Sequence, residues 1–140
     1  MTKKYEIIIK YIQDLSVEIP TAETFIFSRE HITKYVLGIN ISTKTLKNKM
    51  IEIVTKLTYR DPNENKRKSH FEISFATVIR MLGEKVDKVE IEKILLCDVQ
   101  NDIYPELEKI LINLIKDSGF PELKLEKKVD FEQLYQQRLN

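Results

Sequence analysis

Apolar and polar residues alternate with period two from residue 5 to residue 19. Tyr5, Ile7, Ile9, Tyr11, Leu15, Val17 and Ile19 fall on one side, and Glu6, Lys10, Asp14, Ser16 and Glu18 on the other. Such alternation predicts a long, half-buried β-strand ended by Pro20. Gln13 interrupts the apolar side, and Ile8 and Ile12 make the polar side partly apolar, which predicts a bend near the middle or a second contact surface. Residues 21–34 have no clean period and carry Phe25 and Phe27 among polar neighbours, the pattern of a loop crossing to the next strand. Period two returns at about 35–45, 49–61 and 69–82. There Tyr35, Leu37, Ile39 and Ile41, then Ile51, Ile53, Leu57 and Tyr59, then Phe71, Ile73, Phe75, Ile79 and Met81 supply β-branched and aromatic side chains. Turn chemistry separates these strands, with Thr and Lys at 43–48 and a charged run, Asp61-Pro62-Asn63-Glu64-Asn65-Lys66-Arg67-Lys68, expected as an exposed hairpin.

The period changes after Gly83. Val89, Ile94, Leu95 and Leu96 suggest a short helical segment that Ile91 fits poorly. From about Asp102 to Ser118, Ile103, Leu107, Ile110, Leu111 and Leu114 recur at helical spacing, with Pro105 expected in the first turn and Gly119 placed to close the end. Ile112 and Ile115 lie off that stripe, so the long helix is expected to pack against both its own sheet and another subunit. An extended connector follows at 120–126. Asp130, with Gln133 three residues on, caps a final short helix bearing Phe131, Leu134 and Tyr135. Strands first and helices later predict a single α+β domain over 1–140. It has two layers: a four-stranded antiparallel sheet, a meander with a crossing loop after the first strand, packed with a long helix and a short C-terminal helix.

The chain has 140 residues, 42% of them hydrophobic, enough for one core. Its 23 Lys+Arg against 22 Asp+Glu exclude a uniformly basic nucleic-acid binder. Met1 to Glu6 is followed by no apolar leader region, and no apolar run approaches the roughly 18 to 20 residues needed to span a bilayer; a cytoplasmic protein without membrane insertion is expected. Cys97, the single cysteine, sits among Ile94, Leu95 and Leu96 and reads as a small buried hydrophobe. His31 and His70 stand at no metal-ligand spacing from it, so no metal is expected. Three glycines preclude a phosphate-cradling loop, and Ser28 and Ser69, each near a histidine, lack the glycines of a nucleophile elbow and read as exposed loop residues. Neither a catalytic residue nor a cofactor is expected, and the chain is read as no enzyme. Asp14 and Glu18 lie four apart on one strand face, about 13 Å, too far for a glycosidase pair. The basic cluster Arg60, Lys66, Arg67 and Lys68 contains Asp61 and Glu64 and lacks a stacking aromatic, so no nucleic-acid site is expected there. What remains is apolar: Phe25, Phe27, Leu123, Leu125, Val129, Phe131 and Tyr135 lie outside the strands. They either line a groove or complete the core and a subunit interface.

Two blocks of sequence resemble a known family. Tyr11-Ile12-Gln13-Asp14-Leu15-Ser16-Val17-Glu18-Ile19-Pro20 is similar to the first-strand signature of the SecB protein-export chaperones. So is the succession of Asn101-Asp102-Ile103-Tyr104-Pro105, Gly119-Phe120-Pro121-Glu122-Leu123-Lys124-Leu125 and Val129-Asp130-Phe131-Glu132-Gln133-Leu134-Tyr135 to that family's helix, connector and closing helix. The order of elements matches over nearly the whole chain. The resemblance implies a cytosolic holdase, a homotetramer built as a dimer of dimers, that binds unfolded secretory preproteins without ATP and passes them to the SecA motor. It implies that clients lie in grooves lined by Phe25, Phe27, Leu123, Leu125, Val129, Phe131 and Tyr135. It implies SecA docking at Asp14 and Glu18, with the fourth-strand positions of that site falling on Glu72 and Ser74, where the family's pattern is altered. The chain also lacks the strongly negative charge common in the family. A SecB-like chaperone dedicated to an antitoxin or another client protein, and a structural or regulatory oligomer without an open groove, stand as alternatives.

Overall fold

The computed structural model describes residues 4–62, 69–83, 87–125 and 129–139, the side chains of Arg138 and Leu139 excepted. Four strands, β1 (Tyr5–Glu18), β2 (Val36–Thr45), β3 (Met50–Arg60) and β4 (His70–Met81), form one antiparallel sheet in the order β1-β4-β3-β2. This is the expected meander, with β1 added beside β4. Helix α1 (Ala22–His31) and a 3-10 turn (Ile32–Lys34) carry the chain from the β1 edge to the β2 edge. Then α2 (Lys88–Lys93) runs through a π-helical turn (Ile94–Asp98) into α3 (Val99–Asp117), and α4 (Phe131–Leu139) closes the chain. The run Asn63–Lys68, most of the charged hairpin expected from sequence, falls outside the described residues.

The core lies between one sheet face and α3. Ile53, Leu57, Tyr59, Phe71, Ile73, Phe75 and Ile79 meet Val99, Ile103, Leu107, Leu111 and Ile115, all buried. The helix residues recur every four positions, so Ile115 belongs to the buried stripe that sequence had placed it outside. Ile110, Ile112 and Leu114 are half-buried beside it. Gly119 has φ +109°, and the N–H of Phe120 reaches back to the Ile115 carbonyl at 3.3 Å, which stops α3 where expected. Pro105 is seven residues into α3 rather than in its first turn. The helix starts earlier because the π-turn, wider than an α-turn, brings four consecutive residues, Ile94 to Cys97, to buried positions. An α-period cannot accommodate that run, which is why Ile91 looked misplaced.

The crossing segment is a helix, not a loop. Thr21 accepts the Thr24 N–H at 3.1 Å and Glu23 stands in the first turn, both favourable to an N-terminus. Its apolar residues, Phe25, Ile26 and Phe27, are consecutive and point around the helix, so no stripe was visible. Ser28 and Ser69 are not exposed either: both are fully buried, and the Tyr35 hydroxyl reaches them at 3.0 and 2.8 Å. Asp61 is buried as well, at the start of the run expected to be exposed.

Strand β1 departs furthest from the expected burial. Register irregularities fall between Ile7 and Ile9 and between Ile12 and Asp14, the second at Gln13, where a bend was expected. Each extra residue exchanges the faces. Ile9 and Tyr11 therefore align with Val78 and Ala76 on the face away from α3, while Lys10, Ile12, Leu15 and Val17 align with the helix-side residues Thr77, Phe75, Ile73 and Phe71. Lys10 accordingly pairs with Glu106 of α3 at 2.9 Å, and the Tyr5 hydroxyl donates to Asp102. Only Tyr5 of this strand is buried. Ile8, Ile9, Tyr11, Ile12, Leu15 and Val17 are 37 to 49% exposed, on both faces of an edge strand.

Candidate functional site: an apolar groove at the second sheet edge

Between β2, the connector residues 122–125 and 129–130, and α4 lies a groove of about 1020 Å³. Leu37, Ile39 and Tyr59 of the sheet form one wall with Tyr35; Leu123, Leu125 and Val129 of the connector form the second; Gln133, Leu134 and Gln137 of α4 form the third. Thr33, Lys34, Val36, Glu122, Lys124 and Asp130 complete the lining among the described residues, where two lysines face two carboxylates. The Tyr59 hydroxyl donates to the Ile32 carbonyl at 2.7 Å, and burial, then neighbouring Tyr35, raises its pKa. It stays neutral, and the lining mixes nine apolar or aromatic residues with seven polar ones.

The groove borders an open sheet edge. At the β2–β3 turn the Leu46 N–H donates to the Met50 carbonyl at 2.8 Å, so these two residues form a hydrogen-bonded pair. Such pairs alternate along an antiparallel ladder. Gly38, Asn40 and Ser42, opposite Thr58, Lys56 and Val54, therefore spend their backbone groups on β3. Leu37 and Ile39 turn theirs outward, along the groove. Nearer the hairpin Ile41 packs against Leu96, Cys97 and Tyr135, which close that end.

Three of the seven apolar residues singled out from sequence, Leu123, Leu125 and Val129, lie in this lining. The other four pack elsewhere. The Phe25 ring lies 4.7 Å from that of Phe120, and Phe27 stacks on His31 at 4.2 Å. Phe131 is only 2% exposed, with its ring edge-on to Tyr104 at 5.5 Å. Tyr135 is buried against Leu96 and Cys97, with its hydroxyl 3.5 Å from the Val89 carbonyl. Phe131 and Tyr135 are four apart and mark the inward stripe of α4, whereas the groove takes the stripe beside it. Sequence reasoning missed Tyr35, Leu37, Ile39, Tyr59, Leu134, Gln133 and Gln137. The four sheet-side residues carried a period-two signal that does not say which strand is an edge. Asp130, Gln133, Leu134 and Gln137 stand at helical spacing, a signal present but masked by two polar amides.

Asp14, Glu18, Glu72 and Ser74 share the sheet face away from α3, since Asp14 aligns with Ser74 and Glu18 with His70. Glu72 is engaged there: Lys56 and, at 3.6 Å, His70 flank its carboxylate, and the hydrogen bond from Lys56 is the main cause of its lowered pKa. Burial raises the pKa of the Cys97 thiol, whose S–H faces the Phe131 carbonyl at 3.5 Å. No helix among the described residues is long and apolar enough to cross a membrane.

The architecture has a counterpart among known proteins. A SecB-like chaperone from Mycobacterium tuberculosis, solved in complex with a peptide from an antitoxin, superposes with a TM-score of 0.71 at 13% identity, covering 90% of this chain and 91% of that one. The putative protein-export protein SecB of Pelagibacter ubique is 49% identical over 140 residues, the full length of both chains. The protein-export protein SecB of Bradyrhizobium diazoefficiens is 25% identical over 133 residues, 95% of this chain and 81% of the relative. The family model for the preprotein translocase subunit SecB matches residues 1–140. The chain therefore belongs to the SecB family.

Proposed function

We propose that the protein is an ATP-independent holdase that keeps unfolded polypeptides, secretory preproteins foremost, from aggregating in the cytoplasm. The single observation that carries this reading is the groove at the β2 edge, which combines apolar side chains with backbone groups that have no partner among the described residues. An unfolded client exposes those same two things. Side-chain burial against Leu37, Ile39, Leu125 and Val129 and strand addition at β2 together bind extended chain with little regard to its sequence. Release requires no chemistry, because each contact is weak and reversible.

The assembly we propose is the homotetramer that the family resemblance implies. Support comes from β1, whose exposed apolar side chains on both faces and unpaired edge suit contact with a second copy. Several grooves on one particle then act on one client through tethering. For delivery we propose SecA docking at Asp14 and Glu18, which are exposed, with Glu72 and Ser74 contributing less because Glu72 is engaged by Lys56 and His70.

The test is light scattering from a chemically denatured reporter protein diluted into buffer, with and without ATP. An equimolar amount of the chaperone assembly should suppress aggregation equally in both. Aggregation that proceeds at the rate of the reporter alone would overturn the reading.

A further inference from the structure

We propose that Gln133 and Gln137 are positioning residues that hydrogen-bond the outer backbone edge of a client strand paired with β2, so that the groove holds a polypeptide as a strand satisfied on both sides. The proposal rests on the client-binding reading above and adds to it what the helix wall does. An added strand uses half of its backbone groups on β2 and turns the other half away. Where that second set passes Leu123, Leu125, Val129 and Leu134 of the lining, it would lose water to carbon without gaining a partner there, which is unfavourable. The wall it faces is α4, and α4 presents to the groove Leu134 flanked by two amides. Neither amide side chain has a hydrogen-bond partner among the described residues, and both residues are exposed.

The spacing and the chemistry fit. Gln133 and Gln137 are four apart on a helix, about 6 Å along its axis. Outward backbone groups of a strand repeat every second residue, about 6.7 Å. The open groups of Leu37 and Ile39 on the facing wall have that same strand repeat. A primary amide both donates and accepts, so it serves a backbone N–H or C=O without selecting the client's side chains, as a carboxylate or an ammonium would not. The faces of α4 separate these roles: among its described side chains, Phe131 and Tyr135 are buried, Glu132 and Gln136 point to solvent, and Gln133, Leu134 and Gln137 border the groove.

The probe is a fluorescein-labelled nine-residue peptide alternating Val and Thr. Its two-sided character fixes which residues enter the groove. Docked antiparallel to β2, it points its Val N–H groups at β2 and its Thr N–H groups at α4. Two analogues carry N-methyl groups on every Val or on every Thr. The full-length protein should bind the parent peptide and bind both analogues at least several-fold more weakly. Replacing both amides, Gln133→Leu with Gln137→Leu, should weaken the parent peptide about five- to ten-fold and abolish discrimination against the Thr-methylated analogue, while leaving discrimination against the Val-methylated one. Far-ultraviolet circular dichroism checks that the exposed substitutions leave the fold unchanged. A double variant that still rejects the Thr-methylated analogue as the parent protein does would overturn this role and leave the client-binding reading standing. Failure of the unaltered protein to bind the parent peptide would remove both.

Discussion

Replacing groove residues and replacing core residues should separate client binding from folding. Leu125 and Val129 are half-buried in the free protein and line the groove. Covering a fully exposed aliphatic side chain contributes about 1.5–3 kcal/mol, so about 1 kcal/mol per residue is still to be gained when a client covers them. The double replacement Leu125→Ser with Val129→Ser should therefore cost about 2 kcal/mol of affinity, roughly a 30-fold rise in Kd. Phe131 has nothing left to gain. At 2% exposure its apolar surface is already out of water, and Phe131→Ala should cost about 3–5 kcal/mol of folding stability instead. The milder Phe131→Leu keeps the test usable should the alanine variant fail to fold. Affinity is read by anisotropy with a labelled, permanently unfolded polypeptide, and stability by urea denaturation, under conditions where each variant is fully folded. The expected outcome is weak binding with modest destabilisation for the groove pair, and near-normal binding with a lower urea midpoint for Phe131→Leu. If affinity falls in proportion to stability in both sets, Leu125 and Val129 are core residues and the groove is no binding site.

Three further outcomes follow from the packing. Gly119→Ala should lower the urea midpoint by an amount equal to about 1–2 kcal/mol, because φ is +109° and the new Cβ would stand 3.1 Å from the Phe25 ring; an unchanged midpoint would refute the tight approach. Thr55→Val removes the donor that meets the buried Gln100 Oε1 at 2.9 Å and should cost about 1–3 kcal/mol, with Gln100→Leu added to it recovering part of the loss; a double variant no more stable than Thr55→Val would count against this account. Burial raises the pKa of Tyr104 to about 12, and burial also raises those of Tyr59 and Tyr5. A folded-state pKa above the unfolded value gives stability that is complete below the ordinary tyrosine range and lost as pH rises through it. Chemical denaturation should thus show stability falling from about pH 10 toward pH 12, with Tyr104→Phe reducing the slope and an unaltered slope refuting it.

How far the sequence reached depends on what each feature requires. The α3 stripe, the Gly119 stop and the Asp130 cap, whose carboxylate accepts the Gln133 N–H at 3.0 Å, are decided within a few residues of chain, and their signals were legible. Helix α1 failed to show because Phe25, Ile26 and Phe27 face three directions; its Thr21 cap and Glu23 were visible but weaker than the missing period. The π-turn escaped because a run of four buried residues fits neither an α-helix nor a strand alternation. For Phe131 and Tyr135 the ambiguity was intrinsic. A core position and a client-binding position both ask for an apolar side chain, and only the direction in which α4 settles tells them apart. The β1 faces could not be read either, since a one-residue register slip exchanges them without altering composition.

The two edges of the sheet differ in a way that bears on the proposed assembly and client capture. A long, uncovered edge with apolar residues on both faces is an aggregation hazard unless something regular pairs with it. Strand β1, 14 residues long with exposed aliphatic and aromatic side chains on both faces, is suited to a permanent contact with another copy. Strand β2 offers a shorter opportunity. Ile41 packs against Leu96, Cys97 and Tyr135, so the groove ends there and takes in the stretch of β2 at Leu37 and Ile39, while Ser42 to Thr45 beyond it are exposed. On the proposed reading, a client in the groove would meet the backbone groups of Leu37 and Ile39 and a handful of half-buried side chains, which suits reversible capture. The placement of α4 sets that limit: its buried stripe, Phe131 and Tyr135, fixes the helix to the body of the domain, and the neighbouring stripe shapes the groove. A substitution that loosened Phe131, as Phe131→Ala would, is thus expected to widen the open edge as it weakens the fold, whereas Phe131→Leu, which leaves a smaller cavity, should lower stability with little change at the groove.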